Sequence, residues 1–190
     1  HLMRPSLFLG NDKIISGKAL DDRLGCYILL ELARRLQRNA CDLSYVFTVQ
    51  EEVGLYGAKT SVYSMDPDWA LVVDTTNADD YSQDRYTKQI GNGPCITVKD
   101  SDMIGNKCLN DIFKEKAKRL KIPIQLEVTD FGTTDALSIS VAKGGIPTGM
   151  ISVPVRNIHT TAGIAHLDDV AHAVDIIEAL LKNPPKTCVA

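Results

Sequence analysis

Asp21, Asp22, Glu51, Glu52 and Asp74, with His159, are the residues of this sequence whose types and placement could do chemistry. Each falls where a helix or strand is predicted to begin or end, so their side chains can converge. Converging carboxylates repel one another, and each must be protonated, paired with a cation or bound to metal. The nearby Arg23 and Arg156 are too few to neutralise them all. A divalent ion does so directly, and carboxylates plus imidazole suit zinc, cobalt or manganese. Five carboxylates and a histidine exceed what one tetrahedral zinc uses, whereas two ions about 3.5–4 Å apart would use them well. The adjacent pair Glu51-Glu52 can then divide the work: one side chain holds metal, and its neighbour takes a proton from water.

Every one of these residues also has a plainer use. Asp-Asp before a helix caps it and complements its dipole. A glutamate pair after a strand can be a solvated loop, Asp74 before Thr75-Thr76 can form an Asx-turn, and a lone histidine is ordinary on a surface or in a core. Taken singly, the plainer use fits each residue better. Taken together, both readings stand.

The elements that would position these residues follow from periodicity. Leu24, Ile28, Leu32 and Leu36 recur at helical spacing after Asp21-Asp22, and Leu109, Ile112, Phe113, Ala117 and Leu120 do the same. Val170, Val174, Ile177 and Leu181 form a last amphipathic helix before Pro184-Pro185. Short apolar runs predict buried strands at 43–49, 69–73, 94–99, 124–128 and 146–153, the last ending at Pro154. GAKTSVYS reads as a short helix, and so does the segment from Asp135 to about Lys143, closed by Gly144-Gly145. Residues 75–93 read as irregular. This alternation predicts an α/β domain with a mostly parallel sheet covered by helices on both faces, and ligands gather at the carboxyl ends of strands in such sheets.

The totals fit that reading. A hydrophobic content of 44% with 24% charged residues is that of a soluble globular domain. A net charge of −3 argues against nucleic acid as a partner, and no apolar run is long enough to span a membrane or reads as a signal peptide. Cys26, Cys41, Cys95, Cys108 and Cys188 form no CxxC, so the expectation is buried, reduced thiols in a cytoplasmic protein. His1-Leu2-Met3 reads as a cloning scar, leaving 4–190 as a single, partial domain.

Five motifs then carry a resemblance. GKALDDRLG, FTVQEEVGLYGAKT, LVVDTTNADD, FGTTDALSI and ISVPVRNIHT stand in the order and rough spacing of the M42 family of metallo-aminopeptidases, from about Gly17 to Leu181. The resemblance implies two divalent ions, zinc or cobalt, and a peptide substrate shortened from its amino end. It implies that Asp21 bridges the metals, with a cis peptide to Asp22, and that Asp22 supports catalysis by orienting a ligand or the helix. Glu51 would be the general base, Glu52 and His159 terminal ligands of one metal, and Asp74 a terminal ligand of the other. Asp135 and Arg156 are further candidates for contacting substrate. Homo-oligomers are expected of the full-length form.

Two departures qualify the resemblance. The family has a second histidine ligand in a His-x-Asp segment, and a small β domain, upstream of its Asp-Asp-Arg motif; neither has a match here. One metal would then lack a ligand, and the chain alone is expected to bind metal weakly and to be impaired. Asn157 stands where the family commonly has tyrosine. The alternatives are a glycoside hydrolase, since some members once carried endoglucanase labels, and a non-catalytic assembly module.

Overall fold

The run TGMISVPVR, Thr148–Arg156, is buried at every position but the last, and the sheet is organised around it. The computed structural model describes residues 6–8, 10–37, 41–81, 88–186 and 188; the expected scar at 1–3 lies outside them. In chain order the elements are β1 (Ser6–Phe8), β2 (Ile14–Gly17), α1 (Leu20–Arg35), α2 (Tyr56–Ser64), β3 (Ala70–Asn77), β4 (Cys95–Lys99), α3 (Lys107–Leu120), β5 (Gln125–Val128), α4 (Asp135–Ser140), β6 (Thr148–Arg156), β7 (Gly163–His166) and α5 (Leu167–Leu181). A short 3-10 turn, Ala142–Gly144, follows α4.

β3 lies parallel to β6 along its full length, from Ala70 opposite Thr148 to Asn77 opposite Val155. β4 also pairs with β6, antiparallel, at Ser152 and Ile151, and β7 pairs antiparallel at Val155 and Arg156. β5 adds to β4 in parallel, while β2 and β1 extend the sheet beyond β7 in antiparallel fashion. The α/β class with a central sheet flanked by helices therefore holds. The sheet is mixed rather than mostly parallel, because β7 follows β6 after a connection too short for a crossover.

Alternation along β6 splits the core into two. Ile151, Val153 and Val155 point into the larger cluster, where α1 brings Leu24, Ile28 and Leu32, α3 brings Phe113 and Ala117, and α5 brings Val170, Val174 and Ile177. Met150 points the other way, to Val72 of β3 and Ala136 of α4. The predicted helical stripes are thus the buried faces, except that Leu120 at the end of α3 is exposed.

Three expectations fail in instructive ways. Leu43–Val49 is not a buried strand: it joins no ladder among the described residues, and Phe47 and Val49 are 49% and 67% exposed. Its β-branched and aromatic composition favours extended backbone, but a strand also needs a hydrogen-bonded neighbour. β6 does not stop at Pro154; the proline costs one ladder donor, and Val153 and Val155 carry the strand on to Arg156. The cysteines are not all reduced and buried. Cys108 on α3 and Cys188 form a disulfide, Cys26 is exposed, and Cys95 is the buried free thiol among those described. Proximity across 80 residues of sequence leaves no local signal. The structure also adds β1, β2 and β7, and lengthens β3 to Asn77.

Ile151, fully buried where the helices meet β6, should be costly to truncate. Ile151→Ala is expected to lower unfolding stability by about 2–5 kcal/mol in urea titration; a loss below about 1 kcal/mol would contradict the placement of the core.

Candidate metal centre

Asp21 and Asp22 occupy a non-helical stretch at the start of α1, joined by a cis peptide bond, as the resemblance implied. Regular helix begins after them. Asp22 Oδ1 accepts the Gly25 backbone N–H at 2.9 Å, so its capping role is real. A Cβ at 25 would displace the Asp22 carboxylate, so glycine lets that side chain close onto the helix. Glu51 and Glu52 follow Gln50, whose φ of 59° turns the chain sharply. The Glu51 carbonyl then accepts the N–H groups of Gly54 and Leu55, leading into α2. Asp74 stands within β3, not after it, and accepts the Thr75 N–H at 2.7 Å. His159 sits in the connection between β6 and β7 with φ 61°.

These elements bring the side chains together in two groups that share Asp21. One is Asp21, Glu52 and His159; the other is Asp21, Asp22 and Asp74, and within each the ligand atoms lie within 4.8 Å of one another. His159 Nε2 is 3.2 Å from Asp21 Oδ2 and 3.5 Å from Glu52 Oε2.

Crowding has a clear electrostatic consequence. Burial, followed by the charges of Asp135, Glu52 and Asp21, pushes the Glu51 carboxyl up to about 7. Burial raises Asp22 to about 7 as well, with Asp21, Glu51 and Asp135 adding to it against the Gly25 N–H. Burial lifts Asp74 well above the usual carboxylate range, with Asp22 contributing, and raises Glu52, with Asp21 contributing. So many acidic groups turned towards one another, with an imidazole among them, fit divalent cations better than any arrangement of protons.

Two candidates fall elsewhere. Asp135 is buried behind the site, with Oδ2 accepting the Thr48 hydroxyl at 2.6 Å and Oδ1 without a partner among the described residues. It acts on Glu51 through its charge instead of forming part of the cleft wall. Arg156 is committed to Asp80, donating from Nε at 2.6 Å and from its terminal nitrogen at 2.8 Å, and it does not line the cleft.

The centre opens into a cleft of about 520 Å³. Its far wall carries Thr76, Lys88, Thr97 and Glu127, which sequence reasoning missed. On β5 the usual alternation is inverted: Leu126 and Val128 are exposed, and Glu127 between them is buried. A hydrophobic pattern therefore points the wrong face of β5 to the core.

A sequence profile of M42 glutamyl aminopeptidases matches residues 2–176. The chain belongs to this M42 family. It is 32% identical over 166 residues to a lysyl aminopeptidase of Pyrococcus furiosus, covering 86% of this chain and 47% of that protein. A solved aminopeptidase from the archaeon Desulfurococcus kamchatkensis superposes with a TM-score of 0.91 at 34% identity, over 97% of this chain and 53% of that one. The TET1 peptidase of Pyrococcus horikoshii, whose structure is described as a tetrahedron or a large octahedral shell, gives 0.78 at 31%, over 96% and 56%. The chain spans about half the length of the curated M42 relatives it matches.

The raised carboxyl groups make a prediction about the metal-free chain. The folded state holds protons on Asp22 and Glu51 up to about pH 7, whereas the unfolded chain releases them near their ordinary values of 3.8 and 4.5. The stability they contribute is present at low pH and is lost as pH rises through that window. Chelator-treated protein should therefore melt several degrees lower at about pH 8 than at about pH 5, and Zn²⁺ should recover more of the Tm at the higher pH. A flat Tm across this range would contradict the crowding.

Proposed function

We propose that this protein is a metal-dependent aminopeptidase that removes N-terminal residues from peptides. The observation that carries the proposal is the pair of acidic groups sharing Asp21, with Glu51 beside them and its carboxyl near 7. In this reading Glu52 and His159 complete one metal site around Asp21, and Asp74 completes the other. Two ions held there would supply Lewis-acid activation of a water and of the scissile carbonyl.

The remaining chemistry belongs to the chain. Glu51 takes a proton from the attacking water and returns it to the leaving amine, a task suited to a carboxyl poised near neutral pH. Asp22 holds the start of α1 through Gly25 and so fixes the direction of Asp21. The substrate's free α-amino group is drawn to the acidic end of the cleft, which favours peptides entering by their amino end.

Among the described residues the Asp21–Asp22–Asp74 group contains no histidine. The group that contains His159 is therefore expected to take up metal first. The relatives' aminopeptidase names do not favour the glycosidase alternative, which would also leave Asp21, Asp74 and His159 without work. The shell-forming relative supports a homo-oligomer as the assembled state. A cytoplasmic location is also part of the proposal; the Cys108–Cys188 disulfide is the feature that argues against it.

Two isosteric variants separate the roles of the glutamates. With Zn²⁺ or Co²⁺ supplied, Glu51→Gln is expected to lower kcat on aminoacyl-p-nitroanilides by about 10²–10⁴-fold while bound metal, read by elemental analysis, is unchanged. Glu52→Gln should instead lower the bound metal. Matching phenotypes for the two would break the assignment.

A further inference from the structure

The far wall of the cleft is built around a buried ion pair that the proposed hydrolysis does not use. Lys88 Nζ lies 2.7 Å from Glu127 Oε1, with the two side chains 16% and 4% exposed. Glu127 also accepts the hydroxyls of Thr76 and Thr97, so its two oxygens receive three bonds. Asp100, buried on the same wall, is likewise engaged by the Asp102 and Met103 N–H groups and the Thr133 hydroxyl. Among the described residues Lys88 is the one lysine or arginine that lines the cleft, and its ammonium, with three donors, gives one to Glu127. The backbone of Lys88 is fixed as well, through exchanged hydrogen bonds with Asp79 at the end of β3.

Along β3 this wall follows directly on the acidic groups around Asp74. Asp74 and Thr76 are two apart on β3, so they share a face and sit about 6–7 Å apart along the strand. Thr76 touches Glu127, and the pair therefore stands where the side chain of a substrate's first residue would end. The geometry points to the Lys88–Glu127 pair as the specificity element of this cleft, balanced so that it accepts uncharged, hydrogen-bonding N-terminal side chains such as glutamine; this rests on the aminopeptidase reading above.

The charge balance decides the preference. A substrate carboxylate meets an ammonium already neutralised by Glu127, in a cleft that Asp79 and Asp100 also line. A substrate ammonium is repelled by Lys88 and finds carboxylates whose acceptor sites are largely engaged, so its lost hydration is not replaced. A wholly apolar side chain takes water from Lys88 and leaves the donors it does not give to Glu127 without partners. An amide answers both needs, its oxygen accepting from Lys88 and its NH₂ donating to Thr97 or Asn77. Removing either half of the pair leaves the other uncompensated, so Lys88→Gln and Glu127→Gln must move the preference in opposite directions. A pair that merely ties Lys88 to β5 would weaken all ligands alike in both variants.

The experiment compares Gln-, Glu-, Lys- and Leu-p-nitroanilides as substrates of the Zn²⁺-loaded protein, and in parallel the calorimetric binding of the four free amino acids, which needs no turnover. Glutamine is expected to lead glutamate and lysine by about tenfold or more in the wild type. Lys88→Gln should bring lysine to the front, Glu127→Gln should bring glutamate to the front, and Lys88→Arg should keep the wild-type order. Binding in this order without turnover of any substrate would support the pocket assignment and overturn the aminopeptidase reading. A wild type that favours glutamate, lysine or leucine, or the two variants shifting in the same direction, would overturn the pocket assignment. The wild-type panel alone decides it if a variant fails to fold.

Discussion

Repulsion between carboxylates is the constraint around which the functional end of this molecule is arranged. Asp21-Asp22, Glu51-Glu52 and Asp74 come from three separate places in the sequence and are held close together, most of them partly buried. Such an arrangement is stable only with protons or cations between the charges. Among the described residues the fold brings one imidazole, His159, to these groups and otherwise leaves the charge to be balanced by something bound. That is the physical reason a metal-dependent chemistry suits the site and an unassisted pair of glutamates does not.

Holding repelling groups together demands rigid supports, and each comes from a different one. β6 anchors the whole sheet, pairing with β3, β4 and β7 at once while burying side chains on both faces. β3 delivers Asp74 along that strand, and the connection out of β6 delivers His159. α1, packed through Leu24, Ile28 and Leu32 on the same core, delivers Asp21 from its first, non-helical residues. Glu51 and Glu52 have a different support: their lead-in segment makes no ladder among the described residues, and the pair is fixed instead by the turn into α2.

The same strands carry on past the metal centre to a second electrostatic device. Near Asp21 like charges are left to be neutralised by ligands, whereas Lys88 and Glu127 neutralise each other within the protein. One end of the cleft thus calls for cations and the other is already balanced. A single charge change on the balanced wall would alter what fits without touching the chemistry, which suits a family described by glutamyl activity that also contains a lysyl aminopeptidase.

Local sequence determined a good deal of this. The helical stripes of α1, α3 and α5 and most of the strands were legible, because a 3.6-residue or two-residue period reflects which side of an element is buried. Asp21, Glu52, Asp74 and His159 were legible as candidates because they sit in short motifs whose order is itself specific. Tertiary structure decided the rest. Leu43–Val49 has the composition of a strand, but only a neighbour could make it one. Asp135 and Arg156 have reactive side chains, but Thr48 and Asp80, distant in sequence, are what engage them. Cys108 found Cys188, and Lys88 found Glu127, across gaps that no local pattern spans. Periodicity records the faces of elements; which side chains meet depends on how those elements pack, and that is settled only when the chain has folded.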